Sequence, residues 1–268
     1  MFGSAGVLWC LVFTGMGADS PEEHGYVSKE EVLAIKELRE KSQQSAVGRP
    51  LALRLLLGHP TVVGIMIAEA AFSFLWYFWL SWMPSFFHDA YGLSTGESGT
   101  LGLMSYWVAM PAPFVWSKVF SICYEARNHT GLLQLRTLFF FITFLGASGF
   151  SLLVLLCYSK ATPVLATVLV MSLIICLCSK VAGQAAVVID CGGSANSARV
   201  GALMHLSSAM TGFVSNVVVG YFLATPSLGY SGVFMLSIGF SLLGLITLVQ
   251  TVQVEVIDHS YFEDQKAG

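Results

Sequence analysis

The chain has 268 residues, of which 55% are hydrophobic and only 11% are charged, and its formal net charge is -3. Soluble domains carry about 25% charged residues, so this composition excludes an ordinary water-soluble fold. The near-neutral charge argues against nucleic acid as a partner, because nucleic acids bind strongly basic surfaces. The lipid bilayer is therefore the expected surroundings of most of the chain.

Two different segments precede the first long apolar stretch. Residues 1–17 are apolar but too short to span a bilayer, and they lack the basic start of a signal peptide, so we interpret them as the remnant of a truncated spanning helix. Residues 18–58 are polar at first and then amphipathic, with Ser28 and Glu31 spaced as a capping box. This pattern predicts a cytoplasmic linker with a short amphipathic helix, lying on the membrane surface or in solvent.

Uncharged stretches then predict six transmembrane helices between residues 59 and 254. Their approximate bounds are 61–88, 98–122, 135–158, 162–189, 199–224 and 231–252. The last two are separated by the turn residues of Thr225–Gly229, and Pro111 and Pro113 are expected to kink the second. Basic residues collect in the loops on the linker side, so the positive-inside rule predicts that the linker and the tail, residues 255–268, are cytoplasmic.

Several short motifs, taken together in their order along the chain, resemble those of one family. Phe74–Phe86 is rich in aromatic residues and ends near Pro84, Glu97–Gly99 follows it, and Gly201–Met204 comes later. Together with the polar linker Asp19–His24, they resemble the anion:cation symporter branch of the major facilitator superfamily, which includes sialin, the vesicular glutamate transporters and plastid phosphate transporters. The resemblance covers nearly the whole chain, as the second half of that fold.

The resemblance implies an all-α integral membrane protein, formed as the six-helix C-terminal half of a major facilitator fold. Residues 1–17 would be the remnant of the sixth transmembrane helix. The implied function is secondary transport of a small organic or inorganic anion by alternating access, with Na⁺ or H⁺ as the coupling ion. The implied partners are the bilayer, the anion, and either the missing N-terminal half or a second copy of the chain.

Two departures from the family pattern keep an alternative open. Trp116–Ile122 lacks the Gly-Gly and Asp-Arg pairs of the family's cytoplasmic gate, and Phe72 stands where some members carry an arginine. The alternative is a membrane scaffold or regulatory fragment that does not transport. Measured substrate flux would separate the two functions.

Charged residues inside a membrane span are costly and are therefore functional candidates. Glu69 lies about 12 Å into the first span at 1.5 Å per residue. Lys180 lies near the cytoplasmic end of the fourth span, which runs in the opposite direction, so the two side chains are expected at similar depths. We interpret them as an ion pair or proton-coupled site that binds an anion through Lys180. The alternative is that Lys180 extends to the interface and Glu69 faces cytosolic water.

Other polar residues share a helix face with these charges. Ser73 and Tyr77 follow Glu69 at intervals of four residues, and Gln184 follows Lys180 in the same way, so all three are candidates for a substrate cavity. In the fifth span, small and polar residues recur every four positions and indicate a helix-packing seam formed by Ser208, Gly212 and Gly220, with Asn216 as either a packing residue or a further cavity residue.

No catalytic, cofactor or metal site is predicted. The sequence shows no phosphate-binding loop, HExxH or GxSxG motif, and its six cysteines have no metal-ligand spacing. We therefore expect no enzyme activity and no cofactor apart from the coupling ion. The plasma membrane, an endomembrane and a plastid membrane all remain open as locations.

Overall fold

The computed structural model describes residues 2–45 and 50–257. The chain divides into two compact units, Met1–Arg49 and Pro50–Gly268, and each is described by itself. All regular elements in the described residues are helical, with no strand among them. The protein is an all-α, multi-pass integral membrane protein.

The first unit contains two helices, α1 (Phe2–Met16) and α2 (Lys29–Ser45). Ser28 caps α2, because its hydroxyl oxygen accepts a hydrogen bond from the backbone N–H of Glu31 at 3.2 Å. Lys36 of α2 forms an exposed ion pair with Glu22, at 3.1 Å. The linker helix therefore begins at the residue that the capping pattern predicts.

The second unit holds the membrane bundle. Its helices are α3 (Leu53–Gly58), α4 (Pro60–Tyr91), α5 (Thr95–Trp107), α6 (Ala112–Ala126), α7 (Leu132–Phe140), α8 (Ala147–Cys157), α9 (Pro163–Cys178), α10 (Gln184–Ala224) and α11 (Gly229–Thr251). A π-helical segment, Phe141–Gly146, joins α7 to α8, and a 3₁₀ turn, Ser179–Val181, follows α9. In the described residues, five helices are long and apolar enough to cross a membrane: Pro60–Tyr91, Leu132–Cys157, Pro163–Gly193, Ala195–Ala224 and Gly229–Thr251.

The second predicted span is not one helix. α5 ends at Trp107 and α6 begins at Ala112, with a turn between them. Pro111 and Pro113 each lack a backbone N–H, and a proline also disfavours helical geometry at the residue before it. Two prolines this close break the helix, where the sequence analysis expected only a kink.

α4 is the central helix of the bundle. Within its most apolar stretch, 67% of the residues are buried inside the bundle, against 17% for the helix Ala195–Ala224. Pro60 stands at its first position, and the ring of His59 accepts a hydrogen bond from the N–H of Thr61, which favours the helix start. Its aromatic side chains pack with Phe234 of α11 into a buried cluster formed by Phe74, Phe78, Trp79, Phe86 and Phe87.

The contacts of α4 show that chain direction alternates between spans. Glu69 meets Lys180 while Ile65 meets Gln184, so the first and fourth spans are antiparallel. In the fifth span the contacts advance in the same direction as in α4, with Ser73 facing Ser208 and Trp82 facing Asn216. These directions are those that a bundle of successive spans requires.

A glycine turn separates the fourth and fifth spans. Gly193 has φ 56° and ψ -165°, a conformation that residues with a Cβ rarely adopt. At Gly192, a Cβ would lie 2.5 Å from the Cα of Ser197. The fourth span therefore continues through Lys180 and Gln184 up to this turn. It extends a few residues beyond its predicted end at residue 189.

Asn196 lies just after this turn, and its side chain bonds to residues near the beginning and the end of the described part of the bundle. Its side-chain oxygen accepts a hydrogen bond from the N–H of Leu51 at 2.9 Å, and its amide nitrogen donates to the carbonyl of Ile257 at 3.3 Å. The N–H of Ile257 in turn donates to the carbonyl of Cys191. Asn196 is 3% exposed, so these bonds are shielded from water.

Candidate functional site

Glu69 and Lys180 form a buried ion pair inside the bundle. The Nζ atom of Lys180 lies 2.6 Å from Oε2 and 2.8 Å from Oε1 of Glu69. The Glu69 side chain is 2% exposed and the Lys180 side chain 16% exposed. The structure therefore places the two charges predicted for the cavity in direct contact. The lysine is the more accessible member of the pair.

Gln184 and Ser73 complete the surroundings of the carboxylate. Gln184 donates from Nε2 to Oε2 of Glu69 at 2.9 Å, and the hydroxyl of Ser73 lies 3.3 Å from Oε1. The same Ser73 hydroxyl lies 2.7 Å from the hydroxyl of Ser208. We call Glu69, Ser73, Lys180, Gln184 and Ser208 the polar cluster. It joins α4, the turn after α9, and α10.

Aromatic side chains form one wall beside this cluster. The ammonium of Lys180 lies 3.9 Å from the centroid of the Phe72 ring, a cation–π contact. Phe72 stacks on Trp76, which meets Tyr106 of α5 edge-on. The hydroxyl of Tyr106 is buried without a hydrogen-bond partner. Phe72, where the resembled family can carry an arginine, thus supports the lysine through its ring.

The remaining predicted residues lie farther along the α4–α10 contact. Gly212 faces Tyr77, and a Cβ built at Gly212 would lie 2.6 Å from the tyrosine ring. Asn216 accepts a hydrogen bond from the indole N–H of Trp82 at 3.1 Å, and Gly220 lies against the same indole. Gly212 and Gly220 therefore allow close packing. Tyr77 and Asn216 lie along the same seam but are outside the polar cluster.

Sequence reasoning missed a second buried ion pair. Arg136 donates from Nε to Oδ2 of Asp190 at 2.8 Å and from Nη1 to the carbonyl of Ala182 at 2.6 Å. Its guanidinium also lies 4.1 Å from the centroid of the Phe120 ring. In the sequence, Arg136 lies at the start of the third predicted span, 135–158, among the basic residues of the linker side. The available signal was Asp190, an isolated acidic residue in an otherwise apolar stretch.

Two cavities among the described residues of the bundle lie away from the polar cluster. One of about 650 Å³ lies between α4, α10 and α11, and its lining is apolar except for Ser207 and Thr211. Another, of about 360 Å³, lies at the far end of α4 and includes Trp82, His88 and Asp89. Neither includes Glu69 or Lys180.

Metal binding finds no support in the side-chain arrangement. Within residues 2–45 and 50–257, no group of three or more His, Cys, Asp or Glu side chains is positioned to hold a metal ion. The polar cluster has one carboxylate, and an ammonium already contacts both of its oxygens. What this arrangement can do is exchange partners: an external anion can compete with Glu69 for Lys180.

Comparisons with known proteins point to transport. No protein-family model matches the chain. Over 103 residues, 37% of the chain, it is 30% identical to "Probable anion transporter 4, chloroplastic" of Arabidopsis thaliana. Over 252 residues, 92% of the chain, it is 23% identical to the "Hexuronate transporter" of Bacillus subtilis. Both relatives are transporters. The matches cover 19% and 56% of these proteins, so the chain spans about half the length of the relative that it matches almost throughout.

Proposed function

We propose that this chain forms the C-terminal half of a secondary transporter for a small anion, and that Lys180 binds the anion. The observation that carries the proposal is the Glu69–Lys180 pair, buried within helices of membrane-spanning length. Burying two charges is expensive even when they are paired, so an apolar pair would be the simpler way to build a stable bundle. A functional use explains why the charges are there.

Lys180 is the member of the pair that an anion can reach. Its side chain is more exposed than that of Glu69, and its ammonium is supported from one side by the Phe72 ring. The ammonium carries three N–H donors and a positive charge. It can therefore replace its hydrogen bonds to Glu69 with charge-assisted hydrogen bonds to an incoming carboxylate or phosphate. The cluster also holds two neutral hydroxyls, that of Ser73, which donates to Glu69, and that of Ser208, which contacts Ser73.

The finer assignment rests on the resemblance and on the names of the two relatives. The linker and first-span motifs favour the anion:cation symporter branch, and the relatives are an anion transporter and a hexuronate transporter. The proposed substrate is therefore a small organic or inorganic anion. In transporters built from two repeats the substrate site lies between them, so a second half or a second copy of the chain would complete it.

Binding and flux test the proposal separately. The purified chain in lipid nanodiscs is titrated with radiolabelled D-glucuronate and with inorganic phosphate, and uptake of each is measured in proteoliposomes. We expect at least one anion to bind, and we expect Lys180→Ala to abolish that binding. Lys118→Ala, which removes an exposed lysine of α6, is the matched control and should bind normally.

Two outcomes would contradict the proposal. The first is that neither anion binds, either to the chain alone or to the chain co-reconstituted with an N-terminal half of the hexuronate transporter. The second is that Lys180→Ala binds as tightly as the unaltered chain. Binding without flux, both for the chain alone and for the chain co-reconstituted with an N-terminal half of the hexuronate transporter, would instead favour the scaffold function.

A further inference from the structure

The Gln184 side chain has one end engaged and one end without a partner. Its Nε2 donates to Oε2 of Glu69 at 2.9 Å and lies 3.3 Å from the carbonyl of Ile65. Its Oε1 is buried and has no hydrogen-bond partner, and the residue is 1% exposed. A buried polar atom without a partner is costly, so an acceptor left open beside a carboxylate needs an explanation.

We propose that Glu69 takes up one proton for each anion that binds Lys180, and that Gln184 Oε1 accepts the hydrogen bond of that proton. This inference rests on the proposed anion binding at Lys180. It assigns H⁺ as the coupling ion and names the group that carries it. It also gives Gln184 a positioning role.

Charge balance supplies the first step of the argument. With Lys180 on Glu69, the buried pair is neutral. When an anion takes the ammonium, the Glu69 carboxylate remains almost wholly buried with no counter-charge. A buried carboxylate without a partner is neutralised by protonation, because desolvation disfavours the charged form. Binding of a monoanion is then accompanied by one proton from solvent, and the site stays neutral.

Hydrogen-bond balance supplies the second step. An ionised carboxylate only accepts hydrogen bonds, whereas a protonated carboxyl group also donates one. The amide of Gln184 offers both functions: Nε2 donates to the carboxylate, and a half-turn of the amide presents Oε1 to the carboxyl O–H. The other neighbours of the carboxylate are the hydroxyl of Ser73 and the ammonium of Lys180. Of these described neighbours, Gln184 is the one that brings a buried acceptor with no hydrogen-bond partner.

A proton fits this site better than a metal cation. The Lys180 ammonium occupies the space against both carboxylate oxygens, at 2.6 and 2.8 Å. The described polar cluster contains a single carboxylate, together with one amide and two hydroxyls. Hard metal cations require several oxygen ligands in a formed cavity, whereas a proton requires one lone pair and no volume.

Few other charged or titratable groups face Glu69 from the elements packed against α4. α9 and α11 carry no Asp, Glu, Lys, Arg or His. In α10, Asp190 is paired with Arg136, and Arg199 donates to the carbonyl of Leu51. The remaining Asp, Glu, Lys, Arg and His side chains described on the packed elements are exposed: His205 of α10, Arg54 of α3 and Glu97 of α5. The titratable groups Tyr106 of α5, Cys176 and Cys178 of α9, and Cys191 of α10 are at least partly buried. Lys180 is therefore the group that decides whether Glu69 is ionised.

Infrared difference spectroscopy of the chain in lipid nanodiscs tests the proton directly. A protonated carboxyl group gives a C=O band that a carboxylate lacks. Adding D-glucuronate or phosphate to the unaltered chain should produce this band. With D-glucuronate, which is a monoanion at neutral pH, binding should also remove one proton per bound anion from a weakly buffered medium. Glu69→Gln should abolish both signals. The exposed control Glu125→Gln should keep both.

A second comparison does not depend on the choice of anion. Lys180→Met removes the counter-charge outright, so its Glu69 should be protonated at neutral pH with no anion present. The carboxyl band should then disappear in the double variant Lys180→Met/Glu69→Gln. In Lys180→Met/Gln184→Leu the band should move to higher frequency, because the carboxyl O–H has lost its acceptor.

The outcomes separate this inference from the proposed function. If neither anion binds but Lys180→Met shows the Glu69 band, anion binding is wrong while the response of Glu69 to loss of its counter-charge stands. If Lys180→Met shows no carboxyl band, the proton assignment is overturned. Anion binding that requires Na⁺ and takes up no proton would overturn it as well.

Discussion

Arg136 and Asp190 form a two-point ion pair that joins α7 to α10, with Nε–Oδ2 at 2.8 Å and Nη2–Oδ1 at 3.3 Å. The two side chains are 9% and 18% exposed. The same arginine donates to the carbonyl of Ala182, so it fixes the segment between Lys180 and Gln184 as well. The polar cluster is thereby connected to a second buried charge pair along the fourth span.

Removing one member of this pair should destabilise the bundle. Arg136→Ala leaves Asp190 without its counter-charge, and such losses cost about 3 kcal/mol for a buried pair. The loss should appear as a lower unfolding midpoint in detergent titrations followed by circular dichroism. Arg127→Ala, which removes an exposed arginine, should change stability by less than about 0.5 kcal/mol. Equal effects of the two variants would contradict a structural role for the pair.

The contact between Gly212 and Tyr77 should not tolerate a side chain. A Cβ at Gly212 would overlap the tyrosine ring, so Gly212→Ala should cost about 1–3 kcal/mol in the same unfolding titrations. Gly149→Ala, where a Cβ meets nothing within 4 Å, is the matched control and should be neutral or stabilising. Replacing the ring by a smaller side chain, in Gly212→Ala/Tyr77→Leu, should recover part of the lost unfolding free energy. No recovery would show that the overlap is not the cause.

The hydrogen bond between Trp82 and Asn216 should be measurable as a coupling energy. A double-mutant cycle with Trp82→Phe and Asn216→Leu should give about 0.6 kcal/mol, which is typical of hydrogen bonds between spans. Zero coupling would mean that the two residues act independently. If Asn216 instead contacts the anion, Asn216→Leu should weaken D-glucuronate binding while Trp82→Phe leaves it unchanged.

The start of α5 should respond to acid through Glu97, which lies just before the predicted second span. The carboxylate of Glu97 accepts hydrogen bonds from the hydroxyl and the N–H of Ser94, and these bonds lower its pKa below the ordinary value. Because the pKa is lower in the folded state, this cap stabilises α5 fully at pH values above the ordinary pKa of glutamate. The stabilisation is lost as the pH falls through the lowered value.

An NMR titration of ¹³C-labelled glutamate carboxyl groups measures this shift. Ser94→Ala should raise the pKa of Glu97 toward its ordinary value, while Ser159→Ala, in an exposed turn, should leave it unchanged. An identical titration midpoint for Glu97 in all three proteins would refute the capping explanation.

Helix arithmetic predicted that Glu69 and Lys180 lie at similar depths, and an ion pair between them was one of two interpretations. Both residues interrupt apolar stretches, and counting 1.5 Å per residue along antiparallel spans gives them similar depths. Distances along a helix follow from sequence alone, because helix geometry is fixed. Which faces meet is set by packing among several helices, so the contact of Gln184 with the carboxylate was predicted only as a shared helix face.

The Arg136–Asp190 pair and the break in the second span needed the structure. Arg136 follows a polar loop closely, and nothing local distinguishes an exposed boundary arginine from one that turns inward toward another span. Pro111 and Pro113 allow either a kink or a break. The choice depends on whether neighbouring helices satisfy the freed backbone groups. Both outcomes depend on tertiary packing between helices, which local sequence does not specify.

The bonds of Asn196 to Leu51 and Ile257 make the membrane unit a nearly closed ring of chain. Leu51 and Ile257, which lie close to the two ends of the described part of this unit, both bond to one amide, so a short covalent bridge could join the backbone there. New termini could then be opened in the turn at residues 225–228, between the last two spans. Such a circular permutant would place the sixth span first in the chain while retaining every interhelical contact.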